Sequence, residues 1–257
     1  MDDMQFEPIT LPAMRFLIIP CFNEQQRLVQ SEVIKCIDVL NCVVVLVDDG
    51  STDQTLDVLN DLSLQFPGDI EVLALPANVG KGEAVRAGFN YVFERGATQV
   101  LFCDADFSVG PNDLLRLCNT LDETDNCKAV IGSRVAMVGS NIKRSAIRHY
   151  SGRVFATLVS LTLSHQIYDT QCGAKVFKVD NEVRRVFSQP FLSRWAFDVE
   201  VLGRLIRMEQ FKNNQRLILE LPLLNWFEVA GSKLNFFAQL RTVSDLLKIR
   251  TSLKQWS

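Results

Sequence analysis

The chain has 257 residues, which is enough to bury the core of one large domain. Apolar residues make up 47% and charged residues 22%, a composition typical of globular proteins rather than disordered ones. The formal net charge of −3 argues against a general nucleic-acid binder. Seven scattered cysteines without a CxxC pair, and two histidines, indicate neither a zinc site nor a disulfide framework. We therefore expect buried, reduced thiols and a cytoplasmic location.

The N-terminal residues 1–14 are predicted to be an extension that precedes the folded domain. They are acidic and lack the basic start and apolar core of a signal peptide. No run of the sequence approaches the roughly 20 apolar residues of a membrane span. The expected protein is soluble or peripheral to a membrane, and any membrane contact would be made on the cytoplasmic face.

Short apolar runs alternate with helix-period segments through the first half of the chain. The predicted strands are rich in β-branched residues and cover 15–20, 42–47, 70–75, 99–103 and 129–133. The predicted helices between them cover 25–40, 54–66, 81–95 and 111–122. Continuously apolar strands separated by helices predict an α/β fold, with a mostly parallel central sheet that is flanked by helices.

The second half of the chain is less regular. Its predicted elements are a helix near 145–163, a strand near 172–179, helices near 181–188 and 198–210, and a strand near 216–224. No repeat or Pro/Gly linker divides the chain, so we predict one domain over 15–232 with halves 15–110 and 111–232. Residues 233–257 are predicted to form a C-terminal amphipathic helix, which either packs on its own domain or lies on a membrane.

Polar or glycine-rich segments follow four of the predicted strands. These segments are Asn23-Glu24, "DDGSTD" at 48–53, "NVGKG" at 78–82 and "DAD" at 104–106. Ligands of parallel α/β sheets bind at the carboxyl ends of the strands, so these segments should share one rim. Simpler alternatives exist, because Ser51, Thr52 and Asp53 suit a helix N-cap. The "NVGKG" segment also lacks the Ser or Thr that follows the lysine of a phosphate loop.

Asp104 and Asp106 stand one residue apart at the end of an apolar run. Two like charges this close resist burial, so they form either a cation site or a strand end and the cap of the next helix. Mg²⁺ typically uses one or two carboxylates plus substrate phosphates. Asp48 and Asp49 can accept hydrogen bonds from a base or ribose, and Lys81 can approach phosphate. Together these residues suit a nucleoside diphosphate with a divalent cation.

Several segments resemble known enzymes. "IIPCFNE", "VLVDDGSTDQT", "NVGKGEAVRAG" and "LFCDADFS" resemble the nucleotide-binding half of family 2 glycosyltransferases with the GT-A fold. "DTQCGAKVF", "RWAFDVEVL", and "NWFEVAGSKL" followed by "DLLKIR" resemble the polyprenyl-phosphate branch, which includes dolichyl-phosphate β-glucosyltransferases. The resemblance covers roughly residues 15–250, and the three later motifs in this order are specific to the lipid-phosphate branch.

The resemblance implies an inverting transfer of a hexose, expected to be glucose, from a UDP-sugar to polyprenyl or dolichyl phosphate. Residues 15–110 would be the nucleotide-sugar half and 111–232 the acceptor half. Uridine would be held by Pro20, Phe22, Glu24, Asp48 and Asp49, with Lys81 near it or near the diphosphate. Asp104 and Asp106 would bind Mg²⁺ or Mn²⁺ and frame the diphosphate, with Asp106 the expected direct ligand. The oligomeric state is left open.

The resemblance also implies an acceptor site. The acceptor phosphate would be bound by Arg134, Arg148 and Ser151. The sugar pocket would be lined by Asp169, Gln171, Trp195 and Asp198. The candidates for a catalytic role are Asp104, Asp106, Arg134, Asp169 and Asp198. A phosphate monoester is already largely ionised at neutral pH, so it needs little help from a general base. Arginines suit it because their donor fork is bidentate.

Two features of this sequence depart from the family pattern. Some members carry Gln two residues after the second Asp, where this chain has Ser108. Members commonly have an N-terminal membrane anchor, which this sequence does not show, so membrane contact would fall to the helix near 145–163 or to the tail.

Two other functions remain open. A glycosyltransferase with a soluble or polysaccharide hydroxyl acceptor would need Asp169 or Asp198 as general base. A receiver-like nucleotide-binding regulator would be about half this length and would leave the later motifs unexplained.

Overall fold

A computed structural model describes residues 14–143, 146–208, 217–227 and 236–256. Within these ranges the structure does not describe the side chains of residues 143–151 and 236–243. The predicted extension, apart from its last residue, lies outside the described residues. Within the described part of the chain no helix combines the length and the apolar character needed to span a bilayer.

Strands and helices alternate along the chain as predicted. The strands in the described residues are β1 (Arg15–Cys21), β2 (Val43–Asp48), β3 (Ile70–Ala74), β4 (Gln99–Cys103), β5 (Ala129–Ser133), β6 (Asn141–Lys143), β7 (Ala174–Lys178), β8 (Ile218–Pro222) and β9 (Asn225–Phe227). The helices there are α1 (Gln30–Leu40), α2 (Thr55–Gln65), α3 (Lys81–Phe93), α4 (Pro111–Asp122), α5 (Ala146–Leu163), α6 (Asn181–Ser188), α7 (Phe197–Arg207) and α8 (Phe236–Ser252), followed by a 3-10 turn, Leu253–Trp256.

The central sheet has seven strands in the order β3-β2-β1-β4-β7-β5-β8. Six of them run parallel, and β7 alone runs antiparallel to its neighbours β4 and β5. The prediction of a mostly parallel α/β sheet is therefore confirmed. Because β7 is antiparallel, it begins where β4 ends, and Ala174 lies opposite Cys103. This direction brings the segment before β7 to the same edge of the sheet as the loop after β4.

Both faces of the sheet are buried under helices. Along β1, Phe16 and Ile18 belong to a core shared with α3, α6 and α7, whereas Leu17 and Ile19 belong to a core shared with α1, α2 and α4. A strand that is apolar at every position fits this arrangement because its side chains point alternately to the two faces. The unbroken apolar runs of the sequence follow from this two-sided burial.

The C-terminal helix packs on its own domain over the part whose side chains are described. Leu246 and Ile249 of α8, with Leu253 and Trp256 of the 3-10 turn, lie in the core beside α7. The tail was expected either to pack on its own domain or to lie on a membrane, and its buried apolar residues pack on its own domain. The boundary proposed at residue 233 lies outside the described residues.

The segment predicted as the start of the first helix is instead a turn. The helix predicted over 25–40 begins at Gln30. The carbonyl of Glu24 accepts hydrogen bonds from the N–H groups of Arg27 and Leu28, which closes a turn before the helix. The N–H of Glu24 donates to Thr55 Oγ1 at 2.8 Å. The polar residues ahead of Gln30 therefore form a separate turn, which is tied to the start of α2 and precedes the helix.

A small second sheet, formed by β6 and β9, was not predicted. These two strands are parallel, and each has three residues. Three residues are too few to establish an alternating pattern in the sequence, and the pairing joins segments about 80 residues apart.

All seven cysteines are buried free thiols, as predicted. Burial, with the charge of Glu32 as a smaller contribution, raises the pKa of Cys36 to about 12. Burial likewise raises the pKa of Cys118 to about 12. These thiols are therefore protonated at neutral pH and behave as small apolar side chains of the core.

Gly88 packs α3 closely against β1 and β2, and its replacement tests this packing. A Cβ at this position would lie 2.6 Å from Ile18 Cγ2 and 3.1 Å from Val47 Cγ2. We expect Gly88→Ala to lower the free energy of unfolding by about 1–2 kcal/mol, because overpacking outweighs the better helix propensity of Ala. Denaturant unfolding measures this change. Asn60→Ala, at an exposed position of α2, is the matched control and should be neutral or slightly stabilising.

Candidate active site

The loops after β1 and β2 are tied together at one edge of the sheet. The N–H of Asn23 donates to Ser51 Oγ at 3.0 Å, and the N–H of Thr52 donates to Asn23 Oδ1 at 2.8 Å. Ser51 and Thr52 therefore join two loops and do not cap α2, whose N-cap residue is Gln54. The prediction that these strand ends share a rim is confirmed for these two segments.

Asp49 organises the loop that leads into α3. Its Oδ1 accepts the N–H of Val79 at 2.8 Å, and its Oδ2 accepts the N–H of Gly80 and the side-chain amide of Asn78, both at 2.9 Å. Burial raises the pKa of Asp49, and the two backbone hydrogen bonds oppose this rise. Both oxygens of Asp49 are thus used to hold the loop, so its contact with uridine stays a prediction.

Asp48, by contrast, keeps one oxygen available. Its Oδ2 accepts the N–H of Ser51 at 3.1 Å. Its Oδ1 is buried and has no hydrogen-bond partner among the described residues. A buried acceptor without a donor costs free energy, which a ligand N–H or O–H would recover. Asp48 is therefore better placed than Asp49 to receive a nucleoside.

The other residues predicted to contact uridine follow the same edge. Pro20 lies in β1 opposite Val47 of β2, and Phe22 comes directly after β1. Glu24 is buried, and its Oε2 lies 3.5 Å from Nε of Arg27. All three belong to the end of β1 and the loop after it, next to the end of β2 that carries Asp48, and their roles stay predictions.

Lys81 and Asp104 form an ion pair of 2.5 Å between Nζ and Oδ1. Burial alone would lower the pKa of Lys81, but the carboxylates of Asp104 and Asp198 outweigh it, so the pKa is raised and the ammonium is charged at neutral pH. Asp104 also rests against the backbone before β7, where a Cβ at Gly173 would clash with Asp104 Oδ2. A side chain at 173 would therefore force the Asp104 carboxylate to move.

Asp106 lies in the tight turn that follows β4. Its Oδ1 accepts the N–H of Ser108 at 3.0 Å, and its Oδ2 lies 3.9 Å from Nη2 of Arg27. Helix α4 begins at Pro111 with Gly110 as its N-cap residue. Asp106 is therefore not a helix cap, and the alternative that made it one is wrong.

The two carboxylates after β4 have the chemistry of a divalent-cation site. The side chains of Asp104 and Asp106 are 33% and 24% exposed, so a ligand can reach them. Among the described residues there is no group of three or more His, Cys, Asp or Glu that could hold a metal ion. A Mg²⁺ or Mn²⁺ ion bound by these two carboxylates would take its other ligands from water and substrate oxygens, which is the pattern typical of Mg²⁺.

Arg134 and Asp169 form a bidentate ion pair at the end of β5. Nε and Nη2 of Arg134 each lie 2.7 Å from an oxygen of Asp169, and the backbone N–H of Arg134 donates to the same carboxylate at 3.0 Å. Burial would lower the pKa of Arg134, but the charge of Asp169 outweighs it and the pKa is raised. The side chain of Arg134 is 19% exposed, and its guanidinium lies 5.6 Å from the ring centre of Trp226.

Asp198 is buried beside a lysine that was not among the predicted site residues. Lys175 Nζ lies 2.6 Å from Asp198 Oδ1 and donates to the carbonyl of Cys172 at 2.5 Å. Burial raises the pKa of Asp198, and the positive charges of Lys175 and Lys81 oppose this rise. The sequence signal for such a pair is a lysine inside the apolar strand "AKVFK".

Gln171 and Trp195, predicted to line the sugar pocket, lie next to each other. Gln171 Nε2 donates to the carbonyl of Trp195 at 3.3 Å, and the indole side chain is exposed. The side chains of Arg148 and Ser151, predicted to bind the acceptor phosphate, lie outside the described residues. For these four residues the assigned roles stay predictions.

Two arginines at this edge were missed by the sequence reasoning. Arg27 lies near both Glu24 and Asp106. Arg194 donates to the carbonyls of Asn78 and Val79 at 3.0 and 3.1 Å, and thereby joins the acceptor half to the nucleotide half. Arg194 stands inside the quoted "RWAFD" segment, whereas nothing in the sequence indicates that Arg27 is close to Asp106.

The chain is similar to a known protein family and to several named relatives. The family model for glycosyl transferase family 2 matches residues 16–183. A dolichyl-phosphate beta-glucosyltransferase of Trichomonas vaginalis is 32% identical over 269 residues, covering 96% of this chain and 77% of that protein. The dolichyl-phosphate beta-glucosyltransferase of Homo sapiens is 33% identical over 254 residues, covering 91% of this chain and 74% of that protein. The corresponding protein of Saccharomyces cerevisiae is 32% identical, with 91% and 73% covered.

Solved structures with the same fold belong to glucosyl-3-phosphoglycerate synthase from Mycobacterium tuberculosis. Its complex with UDP superposes with a TM-score of 0.66 at 16% identity, covering 93% of this chain and 81% of that one. Its complex with Mn²⁺, UDP and glucosyl-3-phosphoglycerate gives a TM-score of 0.64 at 16% identity, with the same coverage. At this identity the likeness shows the shared fold.

The sheet order and these solved structures confirm the expected GT-A fold. The family match covers both Asp48 at the end of β2 and the carboxylates after β4. The chain belongs to glycosyl transferase family 2, resembles its dolichyl-phosphate glucosyltransferases, and is a glycosyltransferase.

Proposed function

We propose that this glycosyltransferase transfers glucose, with inversion, from UDP-glucose to dolichyl or another polyprenyl phosphate, with Mg²⁺ or Mn²⁺ as cofactor. The named relatives support the acceptor and the sugar, because three of them share about a third of their residues with this chain over more than nine-tenths of its length. The neighbour solved with Mn²⁺, UDP-glucose and phosphoglyceric acid supports the donor and the metal.

The choice between a phosphate and a hydroxyl acceptor rests on one observation: the carboxylates of Asp169 and Asp198 are both engaged in ion pairs. A hydroxyl acceptor needs a general base within reach, and these were the two candidates. Both oxygens of Asp169 accept hydrogen bonds from Arg134, and Asp198 is buried against Lys175. A phosphate acceptor needs no such base, because it is already ionised. The geometry therefore favours a phosphate over a hydroxyl acceptor.

Arg134 retains hydrogen-bonding capacity for that phosphate. A guanidinium has five N–H donors, and Asp169 uses one on Nε and one on Nη2, which leaves three. A guanidinium is always protonated at neutral pH, so these donors belong to a charged group. Arg134 would therefore hold an acceptor phosphate at the end of β5 while Asp169 holds Arg134.

The donor would lie along the ends of β1, β2 and β4. Asp48 Oδ1 would accept a hydrogen bond from the base or ribose, and Lys81 and Arg27 would face the diphosphate. Asp104 and Asp106 would hold the Mg²⁺ or Mn²⁺ ion, which neutralises charge on the departing diphosphate. With the donor and acceptor phosphate held in line, the chain's residues contribute mainly orientation and charge stabilisation.

A transfer assay tests the proposed function. Radiolabelled UDP-glucose is incubated with the protein, Mn²⁺ or Mg²⁺, and polyprenyl phosphate in detergent. We expect label in an organic-extractable, mild-acid-labile product that forms only when polyprenyl phosphate is present. UDP-galactose, which differs at one hydroxyl, and an alkyl glycoside as a hydroxyl acceptor are the matched controls. Equal labelling of the hydroxyl acceptor would rule out the proposal.

Asp106 tests the metal assignment. Asp106→Ala should reduce transfer at least 100-fold, because one of two protein ligands is lost and the diphosphate charge is less well neutralised. Calorimetry should show that the variant no longer binds UDP more tightly when Mn²⁺ is added, whereas the wild type does. Asp125→Ala, at an exposed site in the turn before β5, is the control. Transfer within 3-fold of wild type would contradict the metal role.

Gly173 tests whether the position of Asp104 matters. Gly173→Ala places a Cβ against the Asp104 carboxylate and should displace it. We expect at least a 10-fold loss of kcat/KM and weaker metal-dependent binding of UDP. Gly110→Ala is the control substitution, because a Cβ there would meet nothing within 4 Å. An unchanged kcat/KM for Gly173→Ala would mean that Asp104 does not depend on this contact.

A further inference from the structure

Glu220 in β8 holds the loop that carries Asp169. Its Oε2 accepts the N–H of Tyr168 at 2.8 Å, and its Oε1 accepts the N–H of Asp169 at 2.6 Å. In the central sheet Glu220 pairs in register with Ile131 of β5. One carboxylate thus fastens the 168–169 backbone to the strand beside β5, which ends just before Arg134.

Asp169 in turn fixes the orientation of Arg134. Its carboxylate accepts hydrogen bonds from Nε, Nη2 and the backbone N–H of Arg134. The side chain and the main chain of Arg134 are therefore held by the same residue. A continuous path of hydrogen bonds leads from Glu220 through the 168–169 backbone and Asp169 to the guanidinium.

Orientation matters here because the charge of Arg134 is already offset. Asp169 carries the opposite charge at 2.7 Å, so the pair presents little net charge to an incoming phosphate. The pair would bind a phosphate through the three remaining N–H donors of Arg134, which must point at the phosphate oxygens. Hydrogen bonds weaken steeply when their angle departs from linear. A small rotation of the Arg134 guanidinium should therefore weaken phosphate binding more than a small change in the net charge of the pair would.

We propose that Glu220 is a positioning residue for the acceptor, which aims Arg134 at the acceptor phosphate through the 168–169 backbone and Asp169. This inference rests on the proposed function, because it assumes that Arg134 binds the phosphate of a polyprenyl phosphate. Glu220 itself would contact neither the acceptor nor the donor, because both of its oxygens face the 168–169 backbone.

The test is steady-state kinetics of Glu220→Gln with UDP-glucose and a short-chain polyprenyl phosphate. A glutamine offers one acceptor oxygen, and its NH₂ group would face a backbone N–H, so one of the two hydrogen bonds is lost. We expect KM for polyprenyl phosphate to rise about 10-fold, while KM for UDP-glucose and kcat at saturating acceptor stay within about 2-fold.

A double-mutant cycle identifies the route of the effect. Arg134→Lys removes the fork that Asp169 orients, so adding Glu220→Gln to this variant should raise the acceptor KM no further. Glu71→Gln on β3, where the carboxylate pairs with Arg95 at 3.2 Å, is the matched control and should leave both KM values unchanged. Melting temperatures are measured for every variant. If Glu220→Gln does not fold, Glu220→Asp replaces it and should give the same KM pattern.

The outcomes separate the two claims. An acceptor KM that is unchanged in the Glu220 variant of an active enzyme overturns the positioning role alone. An equal rise of both KM values, or full additivity with Arg134→Lys, also overturns it, because a general loss of structure explains those results. A wild-type enzyme that transfers no glucose to polyprenyl phosphate overturns the proposed function and the positioning role with it.

Discussion

Strand β7 runs antiparallel between β4 and β5, and the candidate site depends on this one reversal. An antiparallel strand begins where its parallel neighbours end, so the segment before β7 reaches the same edge as the loops after β4 and β5. Gly173 thereby meets Asp104, and Asp169 meets Arg134. A parallel β7 would have placed both residues at the opposite edge of the sheet, away from Asp104 and Arg134.

Opposite charges are paired throughout this edge before any ligand binds. The pairs are Lys81 with Asp104, Arg134 with Asp169, and Lys175 with Asp198. Partly buried ions are costly unless they are paired and hydrogen-bonded, so the pairs hold each side chain in one orientation. The remaining capacity, such as Asp48 Oδ1 and the outer donors of Arg134, is what a substrate can use. The selectivity of this edge would therefore depend on which hydrogen-bond donors and acceptors are left.

Much of the fold and part of the site could be predicted from the sequence. The apolar runs of β1 to β5 located the strands, because two-sided burial leaves few polar residues inside them. The strand-end rule brought Asp48, Lys81 and Asp104 to one edge. Helix α1 was predicted five residues too early, because the residues before it form a separate turn, which is tied to the start of α2. Strands β6 and β9 were missed because three residues carry no periodicity.

The sequence by itself determined the alternation of strands and helices, the family, and the types of side chain that gather at the strand ends. These are local properties, carried by periodicity and by short motifs. Only the tertiary structure decided which of two adjacent aspartates, Asp48 or Asp49, keeps an oxygen for a ligand, and which cation faces each carboxylate. It also decided that Glu220 lies behind Asp169. Those contacts join residues that are between 23 and 51 positions apart in the chain, and no local pattern encodes a partner at that separation.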